Sequence, residues 1–176
     1  MKTFTYIIFI LPILYLIYLL FLYSRVKVPF VIIDKKYVVK IFDKVKISDQ
    51  TIIYDLGSGK GDFLFATEKF NPKELVGYEL SSLHVLFSKI KAKLIGSKIK
   101  FIRKDFFSAN ISNADMIYLF LIESVVAKIW EKIKKECKTG TKVIVLGDKI
   151  ENEKEIQIID LDPGNTKSSK VRVYQV

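Results

Sequence analysis

Three glycines at alternate positions, within Asp55-Leu56-Gly57-Ser58-Gly59-Lys60-Gly61, follow directly on the apolar run Thr51-Ile52-Ile53-Tyr54. Residues without a Cβ let a chain turn sharply and let a ligand lie against its backbone. Spacing sorts the ligands such a loop can take. A phosphate-binding P-loop needs a glycine five positions before Gly59 and Ser or Thr after Lys60, where this chain has Tyr54 and Gly61. A dinucleotide fingerprint needs its third glycine at position 62, which is Asp62, and a carboxylate at that helix start repels a pyrophosphate. The residues suit a ligand with no phosphate, a cationic centre and a ribose. Asp55 attracts a positively charged amino-acid group, and the two oxygens of Glu79 match a pair of ribose hydroxyls. Asp105 can accept from an exocyclic amine while Phe106 or Leu80 packs on a base. With Gly57, Ser58, Gly59 and Gly61 as the cradle, that set describes S-adenosylmethionine.

Other reactive side chains are scarce. One cysteine and one histidine exclude an internal disulfide and a structural zinc site. Cys137 extends the apolar stripe of a helix, with no histidine on a matching face, and reads as a core residue rather than a nucleophile. His84 falls on the helix after the second strand, away from the expected cleft, and reads as a surface or packing residue.

The elements that must position these groups alternate in type. Asp34 caps a helix running to Val45. Thr51 to Tyr54 is the first strand, Asp62 to Phe70 a helix and Leu75 to Leu80 the second strand. Ser81 or Ser82 caps a helix in which Leu83, Leu86, Phe87, Ile90 and Leu94 keep helical spacing up to Gly96. Lys98 to Ile102 is a third strand, and Met116 to Ile122 is a continuous apolar run of the kind found in buried parallel strands. Ile122, Val125, Val126, Ile129, Trp130 and Ile133 step by three or four along the next helix. Lys142 to Gly147 is a fifth strand, and Glu155 to Leu161 with Lys170 to Val176 forms a terminal hairpin. The expected fold class is α/β, a mostly parallel sheet with helices on both faces. In such sheets ligands sit at the carboxyl ends of the strands, where Asp55, Glu79, Asp105 and Phe120 with Glu123 fall.

The chain has 176 residues, half of them hydrophobic, with few prolines and glycines, which excludes disordered and collagen-like classes. No charged residue occurs from Thr3 to Ser24, a run of 22 positions. A helix of roughly 20 residues crosses the ~30 Å hydrocarbon core, so residues 1–24 are expected to be an N-terminal transmembrane anchor and 25–176 a single domain. Lys2 lies on one side, and Arg25, Lys27, Lys35, Lys36 and Lys40 on the other. That asymmetry implies a single-pass protein with its domain facing the cytoplasm of a prokaryotic cell. The formal charge is +10. Only Arg25, Arg103 and Arg172 are arginine, so the charge reads as lysine bias and a surface facing an anionic leaflet rather than as specific nucleic-acid recognition.

Tyr54 to Phe63, Val76-Gly77-Tyr78-Glu79-Leu80, Lys104-Asp105-Phe106 and Lys138-Thr139-Gly140-Thr141-Lys142-Val143 resemble class I S-adenosylmethionine-dependent methyltransferases along the whole domain. The apolar N-terminal segment, Val28-Pro29-Phe30-Val31, and Asp115 to Leu121 followed by a helix are similar to the small membrane-anchored protein-lysine methyltransferases. That group includes the enzymes modifying the ATP synthase c subunit and the adenine nucleotide translocase. The chain departs from the group's pattern in lacking a polar residue and second proline after Val31, and in having Phe120 where Tyr is common and Glu123 where Pro is frequent. The resemblance implies a Rossmann-like class I methyltransferase sheet, S-adenosylmethionine as cofactor, and methyl transfer to lysine in a membrane or membrane-associated protein.

A lysine, with a free pKa of about 10.4, must lose its proton before it can attack, and burial among aromatic rings favours that loss. Phe120 and Glu123 are the expected catalytic residues, Phe120 as an aromatic wall with Tyr118 and Phe30 as weaker candidates, and Glu123 orienting the amine. Phe120 and Tyr118 equally suit an ordinary buried strand, and Glu123 a favourable charge in a helix's first turn. Methylation of a lipid or small amphiphile, and a non-catalytic cofactor-binding module, are the alternatives.

Overall fold

The computed structural model describes residues 9–18, 20, 33–165 and 169–176. The chain divides into two compact units, Met1–Phe30 and Val31–Val176. In the first, residues 9–18 and 20 are helical, α1. Among the described residues no helix is long and apolar enough to cross a membrane. This overturns the expected single-pass membrane localisation and the orientation inferred from the flanking charges. The remainder of 1–24, the Val28-Pro29-Phe30-Val31 segment and the candidate aromatic Phe30 lie outside the described residues.

The second unit is built on seven strands: β1 Ile52–Leu56, β2 Glu74–Glu79, β3 Lys100–Arg103, β4 Met116–Leu119, β5 Lys142–Leu146, β6 Gln157–Asp160 and β7 Lys170–Gln175. Their order is β3-β2-β1-β4-β5-β7-β6. Strands β1 to β5 run parallel. The expected hairpin is present, and β7 inserts antiparallel between β5 and β6.

Among the described residues, four α-helices flank the sheet: α2 Lys35–Lys44, α3 Asp62–Thr67, α4 Ser82–Leu94 and α5 Glu123–Glu136. Asp34 caps α2 as expected, accepting from the Lys36 N–H at 3.0 Å. Buried residues of α2, α3 and α4 form one apolar layer, and those of α5 form the other. Because side chains alternate along a strand, Asp55 shares the α3 side of the sheet with Ile53, while Tyr54 and Leu56 join the α5 layer. Gly77 and Glu79 share that α3 side with Leu75.

The two long helices use their apolar stripes differently. α5 buries Val126, Ile129, Trp130 and Ile133. α4 buries His84, Val85, Ser88 and Ala92 and turns Leu86, Phe87, Ile90 and Leu94 to solvent. The apolar spacing that marks α4 as a helix therefore marks its outer face.

Candidate active site

The glycine loop folds over the end of β2, with the Gly57 and Ser58 N–H groups donating to the Tyr78 carbonyl at 2.9 and 3.0 Å. Gly77 makes that approach possible: a Cβ there would lie 2.6 Å from Ser58 Oγ and 2.9 Å from Leu64 Cδ1. The buried Ser58 side chain thus packs on β2. At the tip, Gly59 has a φ of +52°, and a Cβ there would meet nothing within 4 Å. Its glycine answers the left-handed backbone, and the space beside it is open.

Glu79, the last residue of β2, ties two loops together. Its Oε2 accepts from the Gly59 N–H at 2.9 Å, and its Oε1 from the Ser81 N–H at 2.7 Å. Burial raises its pKa, and the N–H bonds from Ser81, Gly59 and Leu80 oppose that rise by stabilising the carboxylate. Each oxygen can accept more than one hydrogen bond, so the carboxylate is oriented and still able to take hydroxyl donors. Asp55 is buried on the same side of the sheet. Burial, then the charges of Glu79 and Asp62, hold its carboxyl well above the usual range. Three carboxyl groups around one loop make a site that a cation relieves and a phosphate aggravates.

α4 supports the loop from the side. Ser88 Oγ reaches the Gly59 carbonyl at 3.4 Å and the His84 carbonyl at 2.8 Å. His84 is buried, and burial and the Lys60 charge lower its pKa, which suits a neutral packing residue. Asp105 is exposed two positions beyond β3, its Oδ1 accepting from the Phe107 N–H at 2.9 Å. Phe106 is buried beside the loop: a Cβ on Gly57 would lie 4.0 Å from its Cε1 and 3.0 Å from Leu121 Cδ2. Leu80 is exposed at the rim.

The carboxyl end of β4 differs from expectation. Tyr118 is a core residue, stacked on Phe63 with ring centroids 3.7 Å apart and planes 6° from parallel, so it walls no cleft. Phe120 is half-buried and lines a cavity of about 260 Å³ with Leu146, Gly147, Asp148, Lys170 and Arg172. Glu123 is exposed at the start of α5, three residues after Phe120. Cys137 closes α5 with its Sγ 3.5 Å from the Ile111 carbonyl, and burial pushes its thiol up to about 11. It is a packed thiol, not a nucleophile.

Sequence reasoning missed four contributors. Ser81 was noticed only as a cap and Asp62 only as an obstacle to phosphate. Asp148 and Arg172 carried no signal, because β7 brings Arg172 beside β5 from far along the chain.

A sheet in this strand order, with a carboxylate-flanked glycine loop over the ends of β1 and β2, defines a class I S-adenosylmethionine-dependent methyltransferase. The ANTKMT methyltransferase domain matches residues 55–156, more than half of the chain, and the chain belongs to that family. It is 29% identical over 141 residues to a protein-lysine N-methyltransferase of Saccharolobus islandicus, covering 78% of this chain and 88% of that one. It is 25% identical over 122 residues to the adenine nucleotide translocase lysine N-methyltransferase of Mus musculus, covering 68% of this chain and 53% of that one. Among solved structures, an RNA methyltransferase from Salinibacter ruber in complex with S-adenosyl-L-homocysteine superposes with a TM-score of 0.75 at 25% identity, over 83% of this chain and 94% of that one. S-adenosylmethionine is the cofactor. The open tip at Gly59 and the oriented Glu79 carboxylate fit a ribose, and the carboxyl groups around the loop fit a cation.

Proposed function

We propose that this methyltransferase acts on the side-chain amine of lysine in a protein. Coverage supports the reading most: the chain spans 88% of the Saccharolobus protein-lysine N-methyltransferase. When bound, the cofactor supplies an activated methyl group on a sulfonium. The chain's own task is then to orient the partners and exclude water. Glu79 receives the ribose hydroxyls on its remaining acceptor positions, and the Asp55 side of the loop draws the cationic end. The backbone of Gly57, Ser58, Gly59 and Gly61 forms the cradle. Phe106 and Leu80 hold the base, and Asp105 accepts from its amine.

At the end of β4, Phe120 borders the incoming lysine, and burial there disfavours the ammonium form and so frees the amine. Lys170 and Arg172 on the same cavity also disfavour the ammonium form, and Asp148 offsets their repulsion of the arriving side chain. Glu123 is the carboxylate that orients the amine from the start of α5.

The test is incubation of the full chain with S-adenosylmethionine carrying a labelled methyl group and a cell extract, followed by separation of protein, lipid and nucleic acid. Label recovered as methyl-lysine after acid hydrolysis of the protein is the expected result. Label confined to lipid or nucleic acid overturns the lysine reading, and cofactor binding without transfer to any fraction overturns catalysis.

A further inference from the structure

The outward face of α4 is organised beyond what a helix exposed to water needs. Leu83, Phe87, Ile90 and Leu94 are spaced four, three and four residues apart, the a and d positions of a heptad. At about 100° per residue they fall within about 60° of one another. Phe87 is 50%, Ile90 47% and Leu94 80% exposed, while the residues buried against the domain lie on the opposite side of the helix. Lys91 and Lys93 take the e and g positions bordering Ile90 and Leu94, Lys91 also lying 4.0 Å over the Phe65 ring, while the preceding g position is the exposed Leu86. Between Glu79 and Asp105 the chain carries Lys89, Lys91, Lys93, Lys98, Lys100, Arg103 and Lys104 and no acidic residue. From outside this stretch Glu74 pairs with Lys100 at 2.7 Å and Asp62 approaches Lys91 at 4.0 Å.

We propose that this face docks a helix of a partner protein whose apolar seam is bordered by Asp and Glu. The four-three-four spacing matches the knobs-into-holes packing of a facing helix, whereas a lipid surface would take exposed apolar residues regardless of heptad position. The lysine borders set the sign of the partner. A second copy of α4 would place lysine against lysine across the seam, which disfavours self-pairing.

The experiment titrates the full chain into a fluorescent synthetic peptide of three heptads with Leu and Ile at a and d and Glu at e and g, and into a matched peptide with Lys at e and g. Binding of the acidic peptide at least about tenfold more tightly than the basic one is expected. Phe87→Ser with Ile90→Ser should weaken it by about tenfold while leaving the unfolding midpoint and S-adenosylhomocysteine binding unchanged. Lys89→Glu with Lys91→Glu and Lys93→Glu should reverse the preference toward the basic peptide. Equal binding of both peptides, or binding of neither, overturns the proposal. So does a self-association that Phe87→Ser with Ile90→Ser abolishes, which assigns the face to a second copy. Binding to phosphatidylcholine–phosphatidylglycerol vesicles that the same pair abolishes would assign it to lipid, and likewise overturns the proposal.

Discussion

α4 and α5 have similar apolar periodicity and connect neighbouring strands of one sheet, yet they present opposite faces to it. α5 lies on a surface of branched side chains and buries Ile129, Trp130 and Ile133 there. The inner face of α4 buries Val85 and Ala92 in the apolar cluster and meets the glycine loop through Ser88, which reaches the Gly59 carbonyl. One helix is held by apolar burial and serves stability. The other buries smaller side chains, Val85 and Ala92 beside the polar His84 and Ser88, and reaches the cofactor loop through Ser88.

The largest expected effect tests that division directly. Ile133→Ala, at a fully buried position of α5, should cost about 2–5 kcal/mol. Ile90→Ala on the outer face of α4 should stay within ~0.5 kcal/mol. Urea unfolding of both variants decides it, and equal costs would break the contrast. Next in size is Glu79→Gln, which replaces one charged acceptor for the Gly59 or Ser81 N–H with an amide donor. Losing a hydrogen bond to a charged group is worth about 1.5–3 kcal/mol, so S-adenosylmethionine affinity by calorimetry should fall about 10- to 100-fold. Ser88→Leu should cost about 1–3 kcal/mol by overpacking and weaken cofactor binding, whereas a stability loss without any binding loss would show that α4 does not support the loop.

The same contrast separates what was legible in the sequence from what was not. Asp55, Glu79 and the glycine loop could be read because their placement depends on strand ends, which short apolar runs mark sharply. That the sheet is mostly parallel followed from the alternation of strands with helices. The inward face of α4 could not be read. Periodicity reports that a helix has an apolar side and says nothing about whether its neighbour is a sheet of branched side chains or a tight loop. The cavity beside Phe120 was hidden for a related reason, since Asp148 and Arg172 meet only through the pairing of β5 with β7. Tyr118 suited a cleft wall and a buried strand alike, because strand aromatics look the same until a partner such as Phe63 is found stacked on them.

The smallest expected effect concerns pH, and it too should originate on the α4 side. Asp55 and Glu79 both have pKa values raised by burial in the folded protein, so folding favours their protonated forms. A raised carboxyl contributes stability that is fully present below its unfolded pKa and is lost as pH climbs through the folded value. The stability these two carboxyls contribute to the cofactor-free protein should therefore fall as pH rises above about 4, against the opposite trend of Asp34, Asp115 and Glu153, whose pKa values are lowered. Asp55→Asn, which keeps the shape without the charge, should flatten that decline, and Ile133→Ala should shift the whole curve down with its slope unchanged. S-adenosylmethionine binding should run the other way: its cation favours the ionised carboxylate, so affinity should increase with pH in the wild type and respond less in Asp55→Asn. Thermal unfolding across pH, with and without the cofactor, measures both trends. An Asp55→Asn curve parallel to wild type would mean that the buried carboxyl is not what makes the loop side of the sheet sensitive to charge.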